Sequence, residues 1–251
     1  MANIQRSHLD NAPLIRTELR LLWGDEKNTA VISHLALKEL LSKGIHDVEY
    51  ERTVLSDDPE SDSDSYRASY SINDSRYSWL LLHGELRLIS DDTYQTWSGF
   101  RSESMRIVRA LNDMMQAQSD HIRLTVLRYV DRFRPDHFAG GTARSFLRED
   151  LGLPIAAPRR IGVFRDPDEV GCFYDFSRRI RTDLAVDLNI GEADLFGSGQ
   201  SVICDVSVYR HDIDASADLA SVLDEIHGVA DSVFFDLIEP IQDRFRGGEL
   251  S

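Results

Sequence analysis

The residues best suited to chemistry lie close together near mid-chain, in Arg128-Tyr129-Val130-Asp131-Arg132-Phe133-Arg134-Pro135-Asp136-His137. Arginines leaving a buried strand present forked, permanently charged donors that match a carboxylate or a phosphate. A histidine beside them adds a group that titrates near neutrality. Arg128, Arg132, Arg134, Asp136 and His137 are therefore the candidate binding site. The competing reading is internal: with Asp131 and Asp136 so near, the same arginines can form ion pairs that fix the end of the strand.

Other constellations carry less. His83, Glu85 and Arg87 alternate along one segment, which is the pattern of the wet face of an antiparallel sheet. Gly197-Ser198-Gly199-Gln200-Ser201 has the look of a nucleophile turn but lies between two alternating strands, where glycines serve a hairpin loop. Cys204 shares the apolar side of its strand and reads as a buried thiol. His211-Asp212-Ile213-Asp214 reads as a polar lead-in to a helix capped by Ser216 or Asp218. His227 sits beside an apolar stripe and reads as a satisfied core or interface histidine. The acidic run from Ser56 to Ser65 lacks the central glycine and final glutamate of a calcium loop and reads as a solvated connection. The sequence holds no Gly-x-Gly-x-x-Gly, phosphate loop, His-Glu-x-x-His or Gly-x-Ser-x-Gly. No catalytic residue, cofactor or metal is assigned from it.

Twenty-eight basic residues against 43 acidic ones give a net charge of −15. Such a chain repels phosphate backbones and anionic membranes, which argues against nucleic acid and membrane as partners. The arginines at 128–134 and 159–165 are the places where a local basic patch could act otherwise. The two cysteines, Cys172 and Cys204, make neither a disulfide framework nor a zinc site. With no signal-like apolar core at the start and no long apolar run, the expected location is the cytoplasm.

The elements that must position these residues follow from periodicity. Leu14 to Trp23 alternates, with Ile15, Thr17, Leu19, Leu21 and Trp23 on one face and Arg16, Glu18 and Arg20 on the other. A helix is expected from Asn28 to Gly44, a strand from Val48 to Val54, another around Tyr66–Ile72, and one long strand from Trp79 to Ile89. Helical spacing runs from Phe100 to Gln116, and Ile122 to Val130 reads as a central strand buried on both faces. After Pro135 and Gly140-Gly141 comes a short helix, Thr142 to Leu151. Strands are expected at Arg160–Arg165 and Gly171–Phe176, followed by alternating runs around Leu184–Ile190 and Val202–Val208. The closing helix starts near Asp218, carries an apolar stripe from Leu219 to Phe245, and should kink or stop at Pro240. The expected fold is α+β: antiparallel sheet with helices on one face, and a strand-strand-strand-helix unit present twice. Residues 1–138 and 139–251 are the two expected halves, packed as one domain.

Three segments resemble a known family. These are Asn11-Ala12-Pro13-Leu14-Ile15-Arg16-Thr17-Glu18-Leu19-Arg20, the strand Leu127-Arg128-Tyr129-Val130-Asp131-Arg132-Phe133, and the helix Ile226-His227-Gly228-Val229-Ala230-Asp231-Ser232-Val233-Phe234-Phe235. They are similar to the opening, the Leu-Arg-Tyr-aliphatic-Asn-Arg signature and the closing helix of a sporadically distributed family of bacterial proteins of this length. Asp131 stands where that signature has Asn. The family has no established activity, so it supplies no catalytic residue. Its patchy distribution implies a bacterial or archaeal source and a defence-linked setting with a partner encoded nearby. The resulting expectation is a non-catalytic protein-interaction or regulatory component of a bacterial defence or toxin-antitoxin-like system. A protein partner is expected, and a homo-oligomer is compatible with it. The alternative is a small-ligand-binding or hydrolytic protein using an arginine-rich pocket between the halves.

Overall fold

A computed structural model describes residues 13–23, 38, 47–54, 64–71, 77–82, 84–91, 96–117, 121–154, 172–194, 200–213 and 217–245. The described strands are β1 (Leu14–Trp23), β2 (Asp47–Val54), β3 (Asp64–Ser71), β4 (Ser78–Leu82), β5 (Glu85–Ser90), β6 (Ile122–Phe133), β7 (Phe173–Arg181), β8 (Leu184–Asp194) and β9 (Gln200–His211). They form one antiparallel sheet in the order β2-β3-β4-β5-β1-β6-β9-β8-β7. The helices are α1 (Trp97–Ala117), α2 (Ala143–Ser145), which runs on into a π turn at Phe146–Asp150, and α3 (Leu219–Ile238). The protein is α+β.

β1 and β6 lie side by side at the middle of the sheet; outward from β1 run β5, β4, β3 and β2, and outward from β6 run β9, β8 and β7, each set as an antiparallel meander. Strand alternation divides the side chains cleanly. Leu19 and Leu21, Leu86 and Leu88, Leu127 and Tyr129, and Val206 and Val208 all point to the side covered by α1 and α3, and all are nearly inaccessible. α1 contributes Phe100, Met105, Val108 and Leu111 to this core, and α3 contributes Val222, Leu223, Ile226, Ala230 and Phe234. These are the apolar stripes expected of helices that bury one face. Asp218 starts α3: its carboxylate accepts hydrogen bonds from the Ala220 amide at 3.1 Å and the Ser221 hydroxyl at 2.6 Å. The hydroxyl of Ser221 chiefly, then the helix amides, hold the Asp218 carboxyl below its ordinary range. α3 ends at Ile238, and Pro240 lies in the 3₁₀ turn Glu239–Phe245 that follows, as the missing amide of proline requires.

One expected element is corrected. Trp79 to Ile89 is two strands, not one, folded back at Gly84, whose φ of 75° only glycine adopts without strain. Leu82 pairs with Glu85 and Trp79 with Leu88. The turn reverses parity, so Trp79 joins Leu86 and Leu88 in the core, and Leu80 belongs to the opposite face. The expected helix at 28–44, the acidic run 56–63, the strand at 160–165 and the loop 195–199 lie outside the described residues. Among the described residues, no helix is long and apolar enough to cross a membrane.

Forcing a side chain into the left-handed region costs about 1–2 kcal/mol. Gly84→Ala is therefore expected to lower the unfolding free energy by about that amount, with a lower denaturant midpoint and an unchanged m-value in a urea titration.

Candidate functional site

The structure separates the five candidate residues. Arg128 and Arg132 project from β6 onto the sheet face opposite α1 and α3, four residues and so about 13 Å apart along the strand. Arg128 forks onto Asp205 of β9, its Nε donating at 2.9 Å and its Nη2 at 2.6 Å, and its Nη1 stands 3.5 Å from Glu18 of β1. The Arg132 Nε donates to the Ser201 hydroxyl at 3.0 Å. Arg134 and Asp136 are exposed at the strand's exit, 3.8 Å apart. His137 is turned inward and is 2% exposed. Its Nδ1 accepts from the Arg134 amide at 2.9 Å, which closes the 3₁₀ turn Pro135–Phe138. The ring packs on Phe133 and Phe245, and its carbonyl accepts from Arg244, which also forks onto Asp150.

What surrounds Arg128 is a row of charges running across four strands. Glu85 of β5 accepts from Arg20 of β1 at 2.5 Å and from Arg87 at 2.7 and 3.0 Å. Arg87 reaches Glu18 at 3.6 Å, and Glu18 leads through Arg128 to Asp205. Arg16 links Glu18 to Asp91 at the strand end. Burial pushes the Glu85 carboxyl up, but the hydrogen bonds from Arg87 and Arg20 outweigh it and hold the group below its ordinary 4.5. The hydrogen bonds to Asp205 raise Arg128 further still. These arginines are held by carboxylates across strands. Sequence reasoning identified Arg128 but not Glu18, Glu85 or Asp205 as its company. Each stood on an alternating polar face, and only the register joins them.

On the helix side, Tyr129 and His227 share a hydrogen bond of 2.9 Å through Nδ1, and Nε2 lies 3.3 Å from Asp231 one turn along α3. Trp97 of α1 stacks on the imidazole with centroids 4.2 Å apart, and its indole N–H donates to Asp224 of α3, which Arg101 also grips. Burial raises the Asp224 carboxyl, and the bonds from Arg101 and Trp97 reverse that and lower it. Tyr129 is fully buried, so this group ties sheet to helices.

A cleft of about 250 Å³ is lined by Thr142, Arg144, Glu192 and Gln200. Strand parity places Gln200 on the face opposite Arg132, so the cleft and the arginine row do not meet. Arg144 is bonded to Glu192 at 3.2 Å. Beside them burial raises the Cys172 thiol, the opposite of what a nucleophile needs. Cys204 is fully buried. Among the described residues no group of three or more His, Cys, Asp or Glu is arranged to hold a metal ion.

The remaining feature is β7, the last of the described strands in the sheet. Every residue in it except Tyr174 is exposed. It carries the large apolar side chains that stand in solvent among the described residues: Phe173 at 70%, Phe176 at 45% and Ile180 at 42% exposure. Sequence reasoning placed a strand near Gly171–Phe176 but gave no sign that its phenylalanines face outward. No family model matches the chain, and no curated protein matches it.

Because Glu85 titrates lower in the folded chain than in the unfolded one, its stabilisation is complete above about pH 4.5 and is lost as pH falls through the depressed folded value. Glu85→Gln is expected to be less stable at neutral pH and to show a flatter acid limb in a plot of midpoint against pH. Arg128→Ala leaves Glu18 and Asp205 short of a partner. With the guanidinium side chain 37% exposed, the expected cost is about 1–2 kcal/mol, well short of a fully buried pair, read by thermal unfolding.

Proposed function

We propose that the protein acts by pairing with another polypeptide along the β7 edge, as a non-catalytic interaction or regulatory component. The observation that carries this reading is β7 itself, the edge strand among the described ones, with Phe173, Phe176 and Ile180 in solvent. A sheet edge offers a row of backbone donors and acceptors, and natural edges that stay unpaired are blunted or covered. β7 has arginines and a bulge between Arg179 and Arg181, yet its aromatic side chains remain uncovered. In strand addition the main chain supplies affinity and the alternate side chains supply selectivity.

The contact surface proposed is local and differs in character from the chain's overall charge. Arg178, Arg179 and Arg181 sit with the phenylalanines in a chain of net charge −15. Membership of a bacterial defence or toxin-antitoxin-like system is part of the proposal and rests on the resemblance of residues 127–133. The ligand-binding or hydrolytic alternative has less support, since Arg128 and Arg132 are engaged by Asp205, Glu18 and Ser201.

The test compares immobilised wild type with a Phe173→Ser/Phe176→Ser variant in lysate of the source cells. Polypeptides held by the wild type are expected to be lost from the variant while its melting temperature stays unchanged. An identical retained set from both proteins would refute the reading.

A further inference from the structure

Resting on the reading of β7 as a pairing edge, we infer that its occupant is a second copy of this chain, joined antiparallel to the first about a two-fold axis at Ser177. The argument begins with backbone parity. The Glu192 amide donates to the Cys172 carbonyl at 2.9 Å, and the register then runs Phe173↔Gly191, Tyr174↔Ile190, Asp175↔Asn189 and onward without a break to Arg179↔Ala185. In an antiparallel ladder hydrogen-bonded pairs alternate with non-bonded ones. Tyr174, Phe176 and Arg178 therefore direct their amides and carbonyls towards β8. Phe173, Asp175, Ser177 and Arg179 direct theirs outward.

A two-fold axis at Ser177 pairs Ser177 with its own copy and Asp175 with Arg179 of the second chain, twice by symmetry. Each of these is an outward-directed residue, so the register that matches the charges also matches the hydrogen bonds. Asp175, Ser177 and Arg179 share the face opposite the helices, which places each carboxylate directly across from a guanidinium. Neither Asp175 nor Arg179 makes a salt bridge to another described residue, and both are exposed. On the other face the same register sets Phe176 against Arg178 of the second copy, a cation over an aromatic ring. Phe176 already stacks on Tyr174, with centroids 6.1 Å apart, so the apolar surface at this edge is continuous. A two-fold interface is self-complementary by construction, and the strand reads as self-complementary about Ser177. Two chains of net charge −15 repel at long range, and β7, rich in arginine, is a place where they can approach. An acidic strand from a different protein would meet Arg178 and Arg179 but would leave Asp175 facing like charge.

The experiment is sedimentation velocity of the full chain at micromolar concentration, for the wild type, Asp175→Arg, Arg179→Asp and the double charge swap. The wild type is expected to sediment as a dimer. Each single variant places like charges opposite one another at two symmetric positions and should weaken association about ten-fold or more, while the double swap restores it. A dimer unaffected by either single variant, or one that the double swap fails to restore, would overturn the inference. A wild type that remains a monomer while the two phenylalanines still govern capture from lysate would overturn self-pairing and leave the pairing edge standing. A monomer whose capture is indifferent to those phenylalanines would remove both.

Discussion

Glu18 sits at the middle of the sheet with 4% of its surface exposed. A carboxylate there is several kcal/mol too costly unless donors surround it. Arg16 on its own strand, Arg87 on β5 and Arg128 on β6 approach it at 4.0, 3.6 and 3.5 Å. They reach it only in the observed register, with Glu18 opposite Ile89 on one side and opposite Arg128 on the other. A slip by one residue would carry Arg87 and Arg128 to the helix side, among Leu88 and Tyr129, and strand Glu18 without a partner. The row of charges therefore acts on alignment. Its single pairs, partly exposed, contribute little each, but the penalty for misalignment is the desolvation of several ions at once. Through Asp205 the same row fixes β9, and through Glu85 and Arg20 it fixes the β5–β1 pair a second time.

The opposite face is organised by different physics. There the sheet offers leucine and valine to helical stripes, and dispersion and water exclusion set the contact. Directional contacts enter most fully at His227, which bonds to Tyr129 of β6, lies beside Asp231 and stacks on Trp97 of α1. Apolar packing tolerates sliding, whereas a ring held by three different elements does not. At the far end of β6 the turn of the chain is closed in a similar way. The His137 side chain bonds the Arg134 amide and fills a space between Phe133 and Phe245. The histidine that looked like part of a binding cluster is a plug for the end of the core.

Alternation made β1 and β9 legible in the sequence, a nearly unbroken apolar run made β6 so, and the helical stripe with its Asp218 start did the same for α3. Alternation also misled at Leu80, Leu82, Leu86 and Leu88. These keep step through the fold-back at Gly84, which instead sets Trp79 across from Leu88 and Leu80 across from Arg87. Periodicity alone has no means of seeing the parity change, although His83-Gly84 was the available sign. The candidate residues are dispersed for a related reason. Ten residues of extended chain span about 30 Å, so sequence proximity gathered Arg128, Arg132 and His137 that strand geometry disperses. Glu18 and Asp205, the companions of Arg128, come from segments as far as 110 residues away in the chain. Exposure of Phe173 and Phe176 was illegible because nothing local distinguishes the last strand of a sheet from an inner one.

The central lock and the exposed edge are connected. Register set at Glu18 passes from β6 to β9, from β9 to β8 and from β8 to β7 through antiparallel pairing that is continuous as far as the bulge after Arg179. β7 is thus held extended over its whole length by β8, which is longer than it is. At Gly191 the two strands come so close that a side-chain carbon would lie 2.7 Å from the Cys172 carbonyl and 2.8 Å from the Phe173 ring. That close approach seats the first residues of β7 against β8 while the aromatic side chain stays in solvent. A strand already extended and aligned gives up little conformational entropy when another strand joins it. The ionic row in the middle of the sheet is in this sense what holds the far edge extended and aligned.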